Sequence, residues 1–119
     1  MRKKILAANW KMNMTVGESD AFLDTFLMEV GEEARVEIVI IPPFTALPRV
    51  SERLTNVQNI KLGAQNMHWE KPGAYTGEIS SHHLRELFVR YIVLGHSERR
   101  SYFGETEAIV NKKVLAALE

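Results

Sequence analysis

Short strand-like runs, mostly apolar, alternate four times with helical stretches, and this alternation most constrains what the 119-residue chain can fold into. Residues 5–9 form a brief apolar run, followed by a loop containing Asn, Lys and Gly. Across residues 18–30, Ala21, Phe22, Phe26, Leu27 and Val30 recur at helical spacing. Val36–Ile41 is nearly unbroken β-branched sequence, as in a strand buried on both faces. Pro42 and Pro43 end it, because neither can donate to a ladder. Thr45 is placed to cap a helix running to about Leu54. Ile60–Ala64 reads as the third strand, and a helix starts near Ser80 or Ser81. Residues 91–94 read as the fourth strand, and a last helix covers residues 105–118. Such alternation implies a parallel sheet with right-handed crossovers. Two architectures fit: an open doubly wound sheet, or part of an eightfold βα barrel, which typically needs about 250 residues. With no linker or low-complexity segment, residues 1–119 are expected to form a single domain.

Charge narrows the range of partners. Fifteen Lys and Arg balance fifteen Asp and Glu, so no net field recruits nucleic acid or an anionic membrane. The absence of cysteine excludes disulfides and thiolate metal sites and fits a reducing cytosol. Met1-Arg2-Lys3-Lys4 is basic, but the apolar run after it stops at Ala8, too short for a signal sequence. No stretch approaches the length of a membrane span. A cytoplasmic protein without nucleic-acid or membrane partners is expected. The loop over residues 65–78, with Pro72-Gly73 and Gly77, is long enough to suggest a functional or interface element.

The chemistry-bearing residues come after two of the strands. In Tyr91-Ile92-Val93-Leu94-Gly95-His96-Ser97-Glu98-Arg99-Arg100, an apolar run ends in glycine and then mostly ionisable side chains. Ligands of α/β proteins sit at the carboxyl ends of parallel strands, so His96 is placed for chemistry. A capping or core role competes with that reading. Lys11 lies two residues beyond the first strand, in Ala8-Asn9-Trp10-Lys11-Met12-Asn13. An ammonium and an amide there can hold a phosphate or stabilise an oxyanion; the alternative is a solvated loop lysine. Adjacent His96-Ser97-Glu98 is not a catalytic triad, because those roles need tertiary geometry. Neither nucleotide-binding glycine fingerprint occurs, so no nucleotide cofactor is expected. His82 and His83 point about 100° apart on a helix and no H-E-x-x-H is present, so no metal is expected. Trp10, Phe44, Trp69 and Phe103 read as core or interface residues, since no basic stripe interleaves them.

Five segments together carry a family resemblance. Ala8-Asn9-Trp10-Lys11-Met12-Asn13, Pro42-Pro43-Phe44-Thr45, Gly63-Ala64-Gln65-Asn66, Gly73-Ala74-Tyr75-Thr76-Gly77-Glu78 and Gly95-His96-Ser97-Glu98-Arg99-Arg100 resemble the triosephosphate isomerase family in order and spacing. The resemblance covers the whole chain but only the first four of that family's eight βα units. It implies an α/β (βα)4 half of a barrel and no cofactor. Asn9 and Lys11 resemble the residues that contact the oxygens and phosphate of a phosphorylated triose. His96 resembles the electrophile that hydrogen-bonds the substrate carbonyl and shuttles protons, and Glu98 the carboxylate that positions the lysine. Gln65, Tyr75, Thr76, Gly77 and Glu78 resemble a loop that inserts into a neighbouring subunit. There Thr76 would reach the other active site and Glu78 would face an arginine like Arg99. The family is itself a standard example of a neutral histidine electrophile whose pKa is lowered by a helix N-terminus.

Two departures shape the expectations. The family's catalytic glutamate comes after its sixth strand, and its main phosphate cradle after the seventh and eighth. All of these fall beyond residue 119, so the chain alone is expected to be inactive, a general base typically contributing about 10²–10⁴-fold. The family also usually reads Ser-Pro before its third helix and glycine at its end, where this chain has Ser80-Ser81 and Phe88. A third helix that runs on past Phe88 is therefore expected. Half a barrel would leave edges at strands one and four and an apolar inner face. The expected partner is a second copy, as a dimer or higher oligomer with strand four beside strand one of the next copy, or a complementing carboxy-terminal half. A stand-alone phosphate-binding module is a third reading.

Overall fold

The computed structural model describes residues 2–119. Its four strands, β1 (Lys4–Asn9), β2 (Val36–Ile41), β3 (Ile60–Ala64) and β4 (Tyr91–Ile92), are parallel and adjacent in chain order. Helices α1 (Val16–Val30), α2 (Leu47–Arg53) and α3 (Ser81–Glu86) come after the first three strands; α4 (Ser97–Phe103) and α5 (Glu107–Leu118) come after the fourth. A doubly wound sheet reverses its strand order at a switch point, and this sheet does not. The architecture is the (βα)4 half of a barrel.

Register decides which side chains meet. Leu6 pairs with Ile38 and Ala8 with Ile40, while Ile38 pairs with Ile60 and Ile40 with Leu62. Because side chains alternate faces along a strand, Ile38, Ile40, Ile60, Leu62 and Ala64 share one face. They are buried with Leu23 of α1, Leu47 and Val50 of α2, Leu54, Met67 and Leu84 of α3. Burial of each large aliphatic side chain contributes about 1.5–3 kcal/mol. On the opposite face, Val39 and Ile41 close over Gly63, where a Cβ would lie 2.8 Å from Ile41 Cγ1. Edge strand β1 is different: Ile5 is 53% and Leu6 64% exposed, so both of its faces are open.

Helix ends correct three expectations. Thr45 does not cap α2; Ala46 holds the N-cap position with no side-chain cap. Proline in the first turn presets the backbone instead, and Ala46 and Leu47 N–H donate to the Pro43 and Phe44 carbonyls. The third helix does not run on. It ends at Glu86, and Phe88 turns the chain with φ +59°. Phe88 N–H donates to the Arg85 carbonyl and Val89 N–H to that of Leu84, a Schellman closure with phenylalanine where glycine is usual. Strand pairing forces the turn, since Arg90 and Val93 N–H must reach the Leu62 and Ala64 carbonyls, both at 2.9 Å. Finally, residues 97–103 form a separate helix, and α5 starts at Glu107 behind a Thr106 cap.

His83 also acquires a function in the fold. Its Nδ1 accepts the Ser80 N–H at 3.0 Å, while Ser80 Oγ accepts the His83 N–H at 3.4 Å. This reciprocal box substitutes for the preset that a first-turn proline would supply.

One buried ion pair fastens the carboxy-terminal helices to the sheet. Lys113 Nζ of α5 lies 2.7 Å from Glu105 Oε2, with side-chain exposures of 4% and 2%. Glu105 also accepts from Arg99 Nε at 3.0 Å, and Lys113 donates to Asn66 Oδ1 at 2.9 Å, just beyond β3. Burial pushes the Glu105 carboxyl up, but hydrogen bonds from Lys113 and Arg99 outweigh it and hold the group below its ordinary range.

Two substitutions test these stability arguments. Phe88→Gly should raise unfolding free energy in urea by about 1 kcal/mol, the left-handed penalty being about 1–2 kcal/mol and glycine's extra entropy loss offsetting part of it. Glu105→Gln should lower it by about 3–5 kcal/mol at neutral pH, because a buried ammonium loses its countercharge. A depressed carboxylate stabilises above its unfolded pKa, so the difference between wild type and Glu105→Gln should shrink as pH falls below 4.5 and through the lowered folded value.

Candidate active site

The carboxyl end of β1 delivers Asn9 and then Lys11 in an unusual backbone conformation. Lys11 has φ +57°, a left-handed geometry that costs a side-chain-bearing residue about 1–2 kcal/mol. Both of its backbone polar groups are engaged by side chains. Asn9 Oδ1 accepts the Lys11 N–H at 2.9 Å, and Gln65 Nε2 donates to the Lys11 carbonyl at 2.8 Å. The same Gln65 nitrogen donates to the Ile41 carbonyl at 3.2 Å. Between Asn9 and Lys11, Trp10 sets its ring edge-on to Phe22 at 5.4 Å, and Phe22 stacks on Phe26 of α1.

From this position Lys11 Nζ reaches Glu98 Oε1 at 2.7 Å, joining chain segments 87 residues apart. Both side chains are substantially exposed, so the pair contributes little to stability. Its effect is orientation. The hydrogen bond from Lys11 holds the Glu98 carboxyl below its usual range, against a smaller upward push from burial.

His96 comes directly after Gly95, whose φ of +67° and tight surroundings exclude a side chain: a Cβ would lie 2.9 Å from Arg100 Nη2 and 3.0 Å from Val110. His96 is the N-cap of α4, and its Nδ1 accepts the Glu98 N–H at 3.0 Å. A ring nitrogen that accepts cannot carry the proton of the neutral imidazole, so that proton lies on Nε2. Capping and chemistry are thus the same feature, because the cap selects the tautomer. His96 Nδ1 is 3.8 Å from Glu98 Oε2, so Glu98 stands between the histidine and Lys11.

Asn9, Lys11, His96 and Glu98 therefore converge at the carboxyl ends of β1 and β4. An ammonium, an amide and a neutral N–H donor can hold an anion and polarise a carbonyl oxygen. Glu98, paired and with depressed basicity, is poorly suited to remove a carbon-bound proton.

The other candidate residues have their own surroundings. Tyr75 tilts against His68 at 4.7 Å, Thr76 is exposed, Gly77 has φ +88°, and Glu78 lies 3.6 Å from His68 Nδ1. Their loop is closed by His68 N–H donating to the Ile79 carbonyl. Arg99 turns to Glu105, and Gln65 to Lys11. The Gln65–Lys11 contact spans 54 positions and leaves no periodic signal, and neither does the link from Glu105 through Lys113 to Asn66. Among the described residues no cluster of His, Asp and Glu is arranged to hold a metal. A groove of about 840 Å³ opens at the amino-terminal end of the sheet, lined by Lys3, Glu37, Asn59 and Lys61 among others. It lies at the end of the strands opposite the converging groups.

Carbon-13 titration of the Glu98 carboxyl should give a value below 4.5, and Lys11→Met should move it upward. An unchanged titration in Lys11→Met would show that the ion pair does not set the site's charge.

A family model described as triosephosphate isomerase matches residues 4–119. The triosephosphate isomerase of Alkaliphilus metalliredigens (strain QYMF) is 55% identical over 119 residues, 100% of this chain and 47% of that protein. That of Thermoanaerobacter sp. (strain X514) is 53% identical over 118 residues, covering 99% of this chain and 47% of the relative. For Clostridium tetani (strain Massachusetts / E88) the identity is 49%, with coverage of 100% and 46%. The chain spans about half the length of the curated relatives it matches. With the matched family model extending over nearly all of the chain, it belongs to the triosephosphate isomerase family.

Proposed function

We propose that this chain supplies the amino-terminal half of a cytoplasmic, glycolytic active site that interconverts dihydroxyacetone phosphate and glyceraldehyde 3-phosphate. The observation that carries the reading is the convergence of Lys11, Glu98 and His96 at the strand ends, with His96 Nδ1 accepting the Glu98 N–H. Lys11 and Asn9 bind the substrate's anionic and hydroxyl oxygens. His96 donates from Nε2 to the carbonyl oxygen as a proton leaves the neighbouring carbon, which stabilises the enediolate where its charge develops. Glu98 is engaged in holding the lysine, so the proton abstraction falls to another group. That step needs a second carboxylate, and the chain by itself is inactive.

Completion comes from a carboxy-terminal half that covers the open edges and brings the base and further phosphate contacts. The exposure of Ile5 and Leu6 on β1 supports such a cover. In its absence a second copy is the natural occupant, giving a dimer or higher oligomer in which two paired halves still lack the base. In the completed enzyme, Tyr75, Thr76, Gly77 and Glu78 meet a neighbouring subunit, with Arg99 on the receiving side.

The test is to assay this chain with and without the carboxy-terminal half of the Alkaliphilus metalliredigens relative and to measure native masses. Isomerisation is expected only in the mixture, alongside a one-to-one complex, and an oligomer is expected for the chain alone. Lys11→Met and His96→Gln should each lower the mixture's rate by about 10²-fold or more. A one-to-one complex without isomerisation overturns the reading, as does full activity of the chain alone.

A further inference from the structure

We infer that Gln65 is a positioning residue for Lys11: its side-chain amide holds the lysine backbone in the left-handed conformation that aims the ammonium at Glu98. The inference rests on the proposed function in taking Lys11 as the group that meets the anion. Three observations carry it. Lys11 is a residue with a side chain at φ +57°, a geometry that persists only where the surroundings over-determine it. Its N–H is taken by Asn9 from its own strand, but its carbonyl is taken by Gln65, 54 positions away. Gln65 also donates to the Ile41 carbonyl, so one nitrogen joins the ends of β1, β2 and β3.

The direction of control is set by where each strand sits. β3 is an interior strand whose buried residues belong to the core, and the neighbouring Asn66 is anchored by Lys113 at 2.9 Å. β1 is an exposed edge. Gln65 therefore carries the rigidity of the core to a lysine that its own strand cannot hold still. Without the donor, Lys11 relaxes to negative φ, its Cβ swings, and the 2.7 Å contact with Glu98 opens. A glutamate at this position would have nearly the same shape but offer acceptors to two carbonyls, so it separates donation from space filling.

The experiment uses NMR of the intact chain. In the wild type, a scalar coupling across the hydrogen bond is expected between Gln65 Nε2 and the Lys11 carbonyl carbon. Lys11 should also show the strong intraresidue amide–Hα cross-peak of positive φ. In Gln65→Glu and Gln65→Met that cross-peak should weaken to the level of ordinary residues, with the β2–β3 amide pattern unchanged. In the completed enzyme, both variants should raise KM and lower kcat, together reducing kcat/KM by about 10²-fold. Absence of the wild-type coupling overturns the inference even if a variant fails to fold. So does a left-handed Lys11 in either variant, or a loss of thermal stability with KM and kcat untouched. If the wild-type mixture does not isomerise, the functional reading fails, while the coupling and the cross-peak still decide the role of Gln65.

Discussion

Burial of one face of β2 and β3 against α1, α2 and α3 is the interaction on which the rest of the molecule depends. Ile38, Ile40, Ile60 and Leu62 meet Leu23, Leu47, Val50 and Leu84 there in the hydrophobic core. The parallel arrangement that makes this burial possible also points every carboxyl end the same way. A shared site at that end is then a geometric consequence.

The site does not hang from the well-buried strands. Asn9 and Lys11 lie at the end of β1, an open edge, and His96 and Glu98 lie beyond β4, whose ladder is two residues long. Trp10, Ile92 and Leu94 pack only partly buried against the core, and polar contacts fix the site's side chains. The exposed Lys11–Glu98 pair aims a side chain more than it stabilises the fold. Gln65 and the His96 cap work locally on backbone and tautomer. The Glu105–Lys113 pair differs because it is buried, so its two charges depend on each other. Through Asn66 and Arg99 it fastens both sides of the site region to α5.

Legibility in the sequence tracks the strength of the physical signal. Val36–Ile41 and Ile60–Ala64 are readable to the residue, since a buried parallel strand needs a continuous apolar run with sharp ends. Helix α4 is not, because Ser-Glu-Arg-Arg-Ser-Tyr-Phe has no apolar period and starts from a histidine cap. Phe88 misleads for a related reason: local preference argues against a left-handed phenylalanine, and the demand that β4 reach β3 overrides it. At the site, Asn9, Lys11, His96 and Glu98 are recognisable from strand ends and from the five family segments. Gln65 stands out in the sequence only as an interface residue, and its hold on Lys11 emerges once β1 and β3 share a sheet.

The sequence by itself determined the alternation of strand and helix, the buried character of β2 and β3, and the identity of the chemical groups at the strand ends. Those properties are local, written in runs, periods and residue types. Tertiary structure decided the strictly sequential strand order and the left-handed turns at Lys11 and Phe88. It also decided which nitrogen of His96 accepts, and the pairings of Lys11 with Glu98 and Gln65. Such contacts join residues up to 87 positions apart, and their energies exist only after the sheet has brought the strand ends together.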